Sequence, residues 1–175
     1  MVRSILKNLV VSTIFLLIIA CESPVGTGMS THEHVTGNVT VIMPSIPRIE
    51  LNDYTWQTLV TVYGLLESDN IDVENMRVEW SSDMFWVVHD SAGYFKLDCR
   101  TCVNGTWYDS DGTTTPMTYN FHTMAPVTNQ VSLADATGEF GNVLAPVRSM
   151  VGRSMWLWWS INGTVVDSMS IFLME

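Results

Sequence analysis

The sequence predicts an all-β protein folded as an antiparallel β-sandwich, and three observations carry that prediction. Short runs rich in β-branched and aromatic residues recur at a spacing of roughly ten residues, with Gly, Asn, Asp, Ser or Pro between them, as in strands joined by turns. Met76, Val78 and Trp80 alternate with Arg77, Glu79 and Ser81, the period of two that sets one strand face on a core and the other in water. Asn162-Gly163 separates two further runs, and a type I′ hairpin turn needs positive φ at both central positions, which Asn and Gly tolerate best.

The segment before the fold comes first. Arg3 and Lys7 precede residues 9–20, an apolar run whose only polar residues are Ser12 and Thr13. The run is shorter than the roughly 20 residues of a transmembrane helix, and its charged flank is that of an export signal. It ends in Ile18-Ile19-Ala20-Cys21, where the chain resembles bacterial lipoprotein precursors, with a branched apolar residue three positions before the cysteine and a small residue just before it. The resemblance implies that residues 1–20 are a lipoprotein signal peptide, cut after Ala20 by signal peptidase II. It also implies that Cys21 carries a thioether-linked diacylglycerol and an N-acyl chain. Several acyl chains, at about 0.8 kcal/mol per buried CH₂, hold a protein to a membrane where one chain is marginal. Glu22, rather than the Asp that often retains lipoproteins at the inner membrane, follows Cys21. The expected location is therefore the cell envelope, at the outer membrane, on its surface or its periplasmic face.

The whole chain has a net charge of −10, and removing Arg3 and Lys7 leaves 6 basic against 18 acidic residues, or −12. A field of that sign disfavours nucleic acid and anionic membrane surfaces as partners. About 155 mature residues suffice for one domain with a sizeable core. Residues 21–36, rich in Ser, Thr, Gly and Pro, read as a flexible tether, with the domain at 37–175. The tether contains His32-Glu33-His34, which without fixed geometry or a supporting shell makes no metal site.

Within the domain, residues 35–43 place Val35, Val39, Val41 and Met43 at odd positions and end at Pro44 and Pro47. Residues 55–66 also fit a helical stripe through Trp56, Leu59, Val60 and Tyr63, but their load of Thr and Val favours a strand. An acidic connection, 67–74, leads to the strand containing Trp80. Residues 85–88 and 93–97 flank a turn at His89-Asp90-Ser91-Ala92, and 103–108 and 116–121 flank Asp109-Ser110-Asp111-Gly112-Thr113. Residues 122–142 read as irregular, and 143–151 as one more strand interrupted by Pro146. In the final hairpin the first arm is apolar on both faces, with Trp156 and Trp158 on one and Leu157, Trp159 and Ile161 on the other. The second arm alternates Val165, Met169, Ile171 and Leu173 with Val166, Ser168 and Ser170.

Thr58-Leu-Val-Thr-Val-Tyr-Gly64, the acidic connection and Arg77-Val-Glu-Trp-Ser-Ser-Asp83 resemble the second and third strands of immunoglobulin-like and PKD-like bacterial surface domains. Asn162-Gly163 with Asp167-Ser168 and Ser170-Ile171 resembles their last hairpin. The resemblance implies an immunoglobulin-like sandwich with Trp80 in the core between the sheets. It further implies that Trp159 points inward and that Trp156 and Trp158 point outward.

Cys99-Arg100-Thr101-Cys102 is the sharpest chemical signal in the domain. Two nearby thiols in an exported chain are expected to form a disulfide, worth about 1.9 kcal/mol for so short a loop in the chain-entropy picture. A redox pair would want a helix N-terminus after a βαβ unit, and a zinc site would want a second ligand pair; neither pattern is in the sequence. Asp109, Asp111 and Gly112 resemble the start of a calcium loop, but no Glu follows at the required spacing. Asp69, Asp72 and Glu74 offer a second, weaker cation site. No metal or cofactor is therefore assigned. Trp107, Trp156 and Trp158 are candidates for an exposed aromatic platform, against the plainer reading that they form a second core layer. The four His are scattered, and no Gly-x-Ser-x-Gly or His-Glu-x-x-His occurs, so no enzyme is expected. The resulting expectation is a lipid-anchored, non-enzymatic binding module recognising a protein or glycan at the cell surface, with a periplasmic structural or assembly factor of the outer membrane as the alternative.

Overall fold

The protein is described by a computed structural model covering residues 31–87, 90–99, 103–120 and 123–175. The expected signal segment and Cys21, together with Cys102, lie outside the described residues. Fourteen strands follow one another among the described residues: β1 (Thr31–Thr36), β2 (Val39–Pro44), β3 (Arg48–Glu50), β4 (Val60–Glu67), β5 (Arg77–Ser82), β6 (Met84–Val87), β7 (Asp90–Leu97), β8 (Asn104–Tyr108), β9 (Thr114–Thr118), β10 (Met124–Pro126), β11 (Val131–Leu133), β12 (Glu139–Leu144), β13 (Ser154–Ile161) and β14 (Thr164–Met174). A single 3₁₀ turn, Arg148–Met150, precedes β13. The chain is all-β, as the turn spacing and alternation predict.

Two sheets face each other. One runs β1-β2-β4-β12 and the other β11-β5-β13-β14-β3, antiparallel throughout except that β3 lies parallel to β14. The inner faces supply one apolar core: Val39, Val41 and Met43 from β2 and Phe140 and Leu144 from β12 meet Val78 and Trp80 from β5 and Met155, Leu157, Trp159 and Ile161 from β13. The Trp80 ring lies 5.8 Å from that of Phe140 and 6.4 Å from that of Trp159, and its Nε1–H donates to Ser132 Oγ at 2.7 Å. Gly64 lies within β4, where a Cβ would run into Met43 Sδ and the Phe140 ring.

The third sheet, β10-β6-β7-β8-β9, is inserted between β5 and β11. One face rests Tyr94, Trp86 and Tyr108 on the main core, and the other carries a small cluster of its own around Phe85, Phe95 and Met124. At its junction with the sandwich, the buried Asp83 accepts the Trp156 N–H at 2.8 Å and faces Lys96 Nζ at 3.6 Å, while Lys96 donates to the Ser154 carbonyl at 2.5 Å. Burial pushes the Asp83 carboxyl above its ordinary pKa, against the Trp156 N–H and the Lys96 ammonium, which pull it down.

Several expected elements differ in the structure. Residues 31–36, expected to be the end of a flexible tether, instead form β1 and pair with β2 around the turn at Gly37, whose φ is +64°. His32 is thereby fixed, with Nδ1 3.3 Å from Asp167 and its ring edge-on to Trp159. The strand expected over 55–66 begins only at Val60; residues 52–58 form a loop held by side chains. Residues 122–142, expected to be irregular, contain β10, β11 and the start of β12. Gly141 and Asn142 hide that last strand from propensity, yet Asn142 is buried and bonded to Thr128 and Asn129 by both ends of its amide. The final hairpin turns at Asn162 and Gly163 with φ of 51° and 76°. In β14, however, a bulge opposite Trp159 and Ser160 inserts one residue. That shift buries Val166 and exposes Val165, the reverse of the expected alternation.

Candidate functional site

The predicted aromatic platform is partly assembled. Ser154, Trp156 and Trp158 point away from the core on β13, as the alternation requires, and pair with Phe172, Ser170 and Ser168 of β14. The Trp156 and Trp158 rings are nearly parallel, at 15°, with centroids 6.4 Å apart. Their exposures differ: Trp156 is 44% exposed and Trp158 only 8%. Trp158 is therefore a buried support rather than a contact surface. Phe172, also 44% exposed, shares this face one diagonal step from Trp156. The exposed surface is thus Trp156 and Phe172 among Ser154, Ser168 and Ser170, with Arg48 opposite Phe172.

Trp107 does not join this surface. It pairs with Phe95 across the inserted sheet and packs on the Phe85, Phe95 and Met124 cluster. Sequence reasoning put Trp107 with the other two because all three are tryptophans in strands, and it passed over Phe172 because a lone Phe at a strand end gives no signal until its cross-strand partners are known. Cys99 is exposed beyond β7 and has a partner of its own. Its expected partner Cys102 is outside the described residues.

The acidic loops use their carboxylates within their own turns. Asp111 Oδ1 accepts the Thr113 N–H at 2.8 Å, which holds its pKa below the ordinary value, and Asp72 Oδ1 accepts the Glu74 N–H at 2.9 Å. Among the described residues no group of three or more His, Cys, Asp or Glu stands where it could share a metal ion.

A second surface was not anticipated. Trp56, expected in the strand over 55–66, and its neighbour Tyr54 stand in the 52–58 loop, 46% and 97% exposed. With Asp53, Ser110, Arg148 and Ser149 they line an open groove of about 510 Å³ where this loop, the β8–β9 turn and the 3₁₀ turn meet. Internal hydrogen bonds shape the loop: Asn52 Oδ1 accepts the Tyr54 N–H at 2.8 Å, Thr58 Oγ1 accepts the Asn52 N–H at 2.7 Å, and Thr55 Oγ1 donates to the Gln57 carbonyl at 2.8 Å. The loop is then fastened to the next segment, because the Gln57 amide donates to the Ala145 carbonyl at 2.9 Å and the Arg148 N–H to the Trp56 carbonyl at 2.9 Å. The Trp56 ring is set edge-on against Trp86 at 5.8 Å. An Asx turn at Asn52-Asp53 was legible from turn chemistry, but its contact with residues 145–148 was not.

The chain matches no protein-family model, no curated protein and no solved structure.

Proposed function

We propose that this protein is a lipid-anchored module of a bacterial cell envelope whose immunoglobulin-like sandwich binds a protein or glycan at the cell surface and performs no chemistry of its own. The observation that carries the binding reading is the pair of half-exposed rings, Trp156 and Phe172, on the serine-lined outer face of the second sheet. A sandwich buries the inner face of each sheet, so rings left exposed on the outer face are available to a ligand. The immunoglobulin-like reading is supported by the order β5-β13-β14-β3, with the short β3 parallel to the last strand, opposite a sheet in which β2, β4 and β12 are neighbours. The inserted sheet accounts for the extra length over the usual 100 or so residues of such domains.

The anchor reading rests on Ile18-Ile19-Ala20-Cys21 behind the charged apolar segment. Mass spectrometry of the mature N-terminus checks it: a cleaved, acylated Cys21 is expected, and an unmodified cysteine removes the anchor. The Cys99–Cys102 disulfide is tested by thiol labelling before and after reduction, with no labelling expected before. For the binding reading, labelled protein is applied to intact cells and to a glycan array, alongside a Trp156→Ser, Phe172→Ser variant. Loss of binding by a variant that stays folded is expected. Equal binding by the two proteins, or none by either, ends the reading. Protease treatment of intact cells separates surface display from the periplasmic alternative, since only a surface domain is clipped.

A further inference from the structure

We propose that the groove formed by Tyr54, Trp56, Asp53, Arg148, Ser110 and Ser149 is a binding subsite for a neutral saccharide. A ring of that ligand would lie on the Tyr54 and Trp56 faces, with its hydroxyls bonded to the polar rim. The groove shares no residue with the Trp156 and Phe172 surface, and the inference stands or falls without that reading.

Three features support this assignment. The first is that Tyr54 is almost wholly outside the fold yet is held on a rigid loop. A 97% exposed phenol ring gains nothing from burial, whereas the bonds from Asn52, Thr58, Thr55 and Gln57 fix the backbone that presents it. Rigid aromatic contacts on an ordered loop lose little conformational entropy on binding. The second is charge. Among the described residues Arg148 is the only cation lining the groove, and it is already engaged by Asp53, donating to the Asp53 carbonyl at 2.5 Å with its other terminal nitrogen 3.9 Å from the Asp53 carboxylate. The rim therefore offers donors and acceptors with its charges cancelled, and the acidic chain around it disfavours a polyanion. The third is size and lining: about 510 Å³ falls within the roughly 300–1,000 Å³ of pockets that take small ligands, and two aromatic side chains beside the hydroxyls of Thr55, Ser110 and Ser149 and an ion pair suit a ring with apolar faces and a hydroxylated edge. A purely apolar ligand would leave the ion pair and hydroxyls unmatched.

The test uses the full chain purified in detergent. It is titrated with maltohexaose, cellohexaose, mannohexaose and chitohexaose, and with a heparin hexasaccharide as the charged comparison, following heat release and tryptophan fluorescence. At least one neutral saccharide is expected to bind at millimolar affinity or better. Tyr54→Ala, which removes no packing, should weaken that binding at least about tenfold, Tyr54→Phe should retain it, and Val165→Ser, at an exposed residue outside both surfaces, should leave it unchanged. Absence of binding to all four neutral saccharides, binding of heparin alone, or equal binding by Tyr54→Ala overturns the proposal. Binding lost in Trp156→Ser and kept in Tyr54→Ala also overturns it, by placing the ligand on the sheet face.

Discussion

The sandwich and the inserted sheet are made of the same kinds of strand but held together in different ways. Among the described residues, twenty-five buried apolar residues form the main core, all but Met84 and Tyr94 from outside the inserted sheet, whereas three, Phe85, Phe95 and Met124, form the cluster on that sheet's far face. At about 25 cal/mol per Å² of buried apolar surface, so small a cluster cannot offset the ordering of five strands. The inserted sheet therefore depends on its other face, where Tyr94, Trp86 and Tyr108 borrow the main core, and on the Asp83–Lys96 junction. Tyr94 and Tyr108 stack at 4.6 Å, and the Arg153 guanidinium lies 4.8 Å over the Tyr108 ring. The sandwich is expected to be self-sufficient and the inserted sheet its dependant.

The largest effect should come from Trp159→Ser. The ring is 1% exposed at the centre of the main core, and truncating a buried Trp costs about 3–5 kcal/mol. Because the inserted sheet depends on that core, both regions should unfold together in denaturant. Survival of the inserted sheet in hydrogen exchange would break the asymmetry.

A smaller and more selective loss is expected from Gly105→Ala. A Cβ at Gly105 would run into the Lys96 carbonyl oxygen and the Phe95 ring, a steric cost of about 1–3 kcal/mol falling entirely within the inserted sheet. Hydrogen exchange should accelerate in β7, β8 and β9 while β13 and β14 stay protected. Equal acceleration everywhere would mean that the two regions form one cooperative unit.

Asp83 sharpens the comparison through pH. Its folded pKa is raised, so its stabilising contribution is complete below the ordinary value of 3.8 and is lost as pH rises through the folded value. Asp111 and Asp135 are lowered by hydrogen bonds within their turns, so their contributions have the opposite sign and are lost as pH falls. Denaturant melts of Asp83→Asn across acid pH should show the natural protein gaining stability relative to the variant on acidification. A constant difference across that range would show that burial does not govern Asp83.

The smallest effect is expected for the outer face. Replacing Trp156 and Phe172 with Ser removes rings that are each 44% exposed, and stability should change by about 1 kcal/mol or less. Trp158→Ser, in contrast, should destabilise measurably, because Trp158 is buried although it shares a face with Trp156. Equal cost for Trp156 and Trp158 would make the whole face core and remove the platform.

Much of this architecture was legible in one dimension wherever a local rule suffices. Strand alternation grouped Val39, Val41 and Met43 on one face, grouped Val78 with Trp80, and separated Leu157, Trp159 and Ile161 from Trp156 and Trp158, and Asn162-Gly163 marked the last hairpin. These follow from period two and from positive φ, which depend only on neighbours in the chain. Other features depend on what lies across the sheet or across the core, and only the tertiary structure decided them. The β14 bulge exchanged Val165 for Val166. Asn142 became a buried bridge because Thr128 and Asn129 stand opposite its amide. Trp158 was covered while Trp156 was left open, and Trp107 was drawn into a separate cluster by Phe95. Trp56 left the strand expected over 55–66 because residues 145–148 supplied partners for the loop backbone. Side-chain periodicity is a property of one strand, whereas burial belongs to the surfaces that meet, and this sequence encodes those meetings in contacts far apart along the chain.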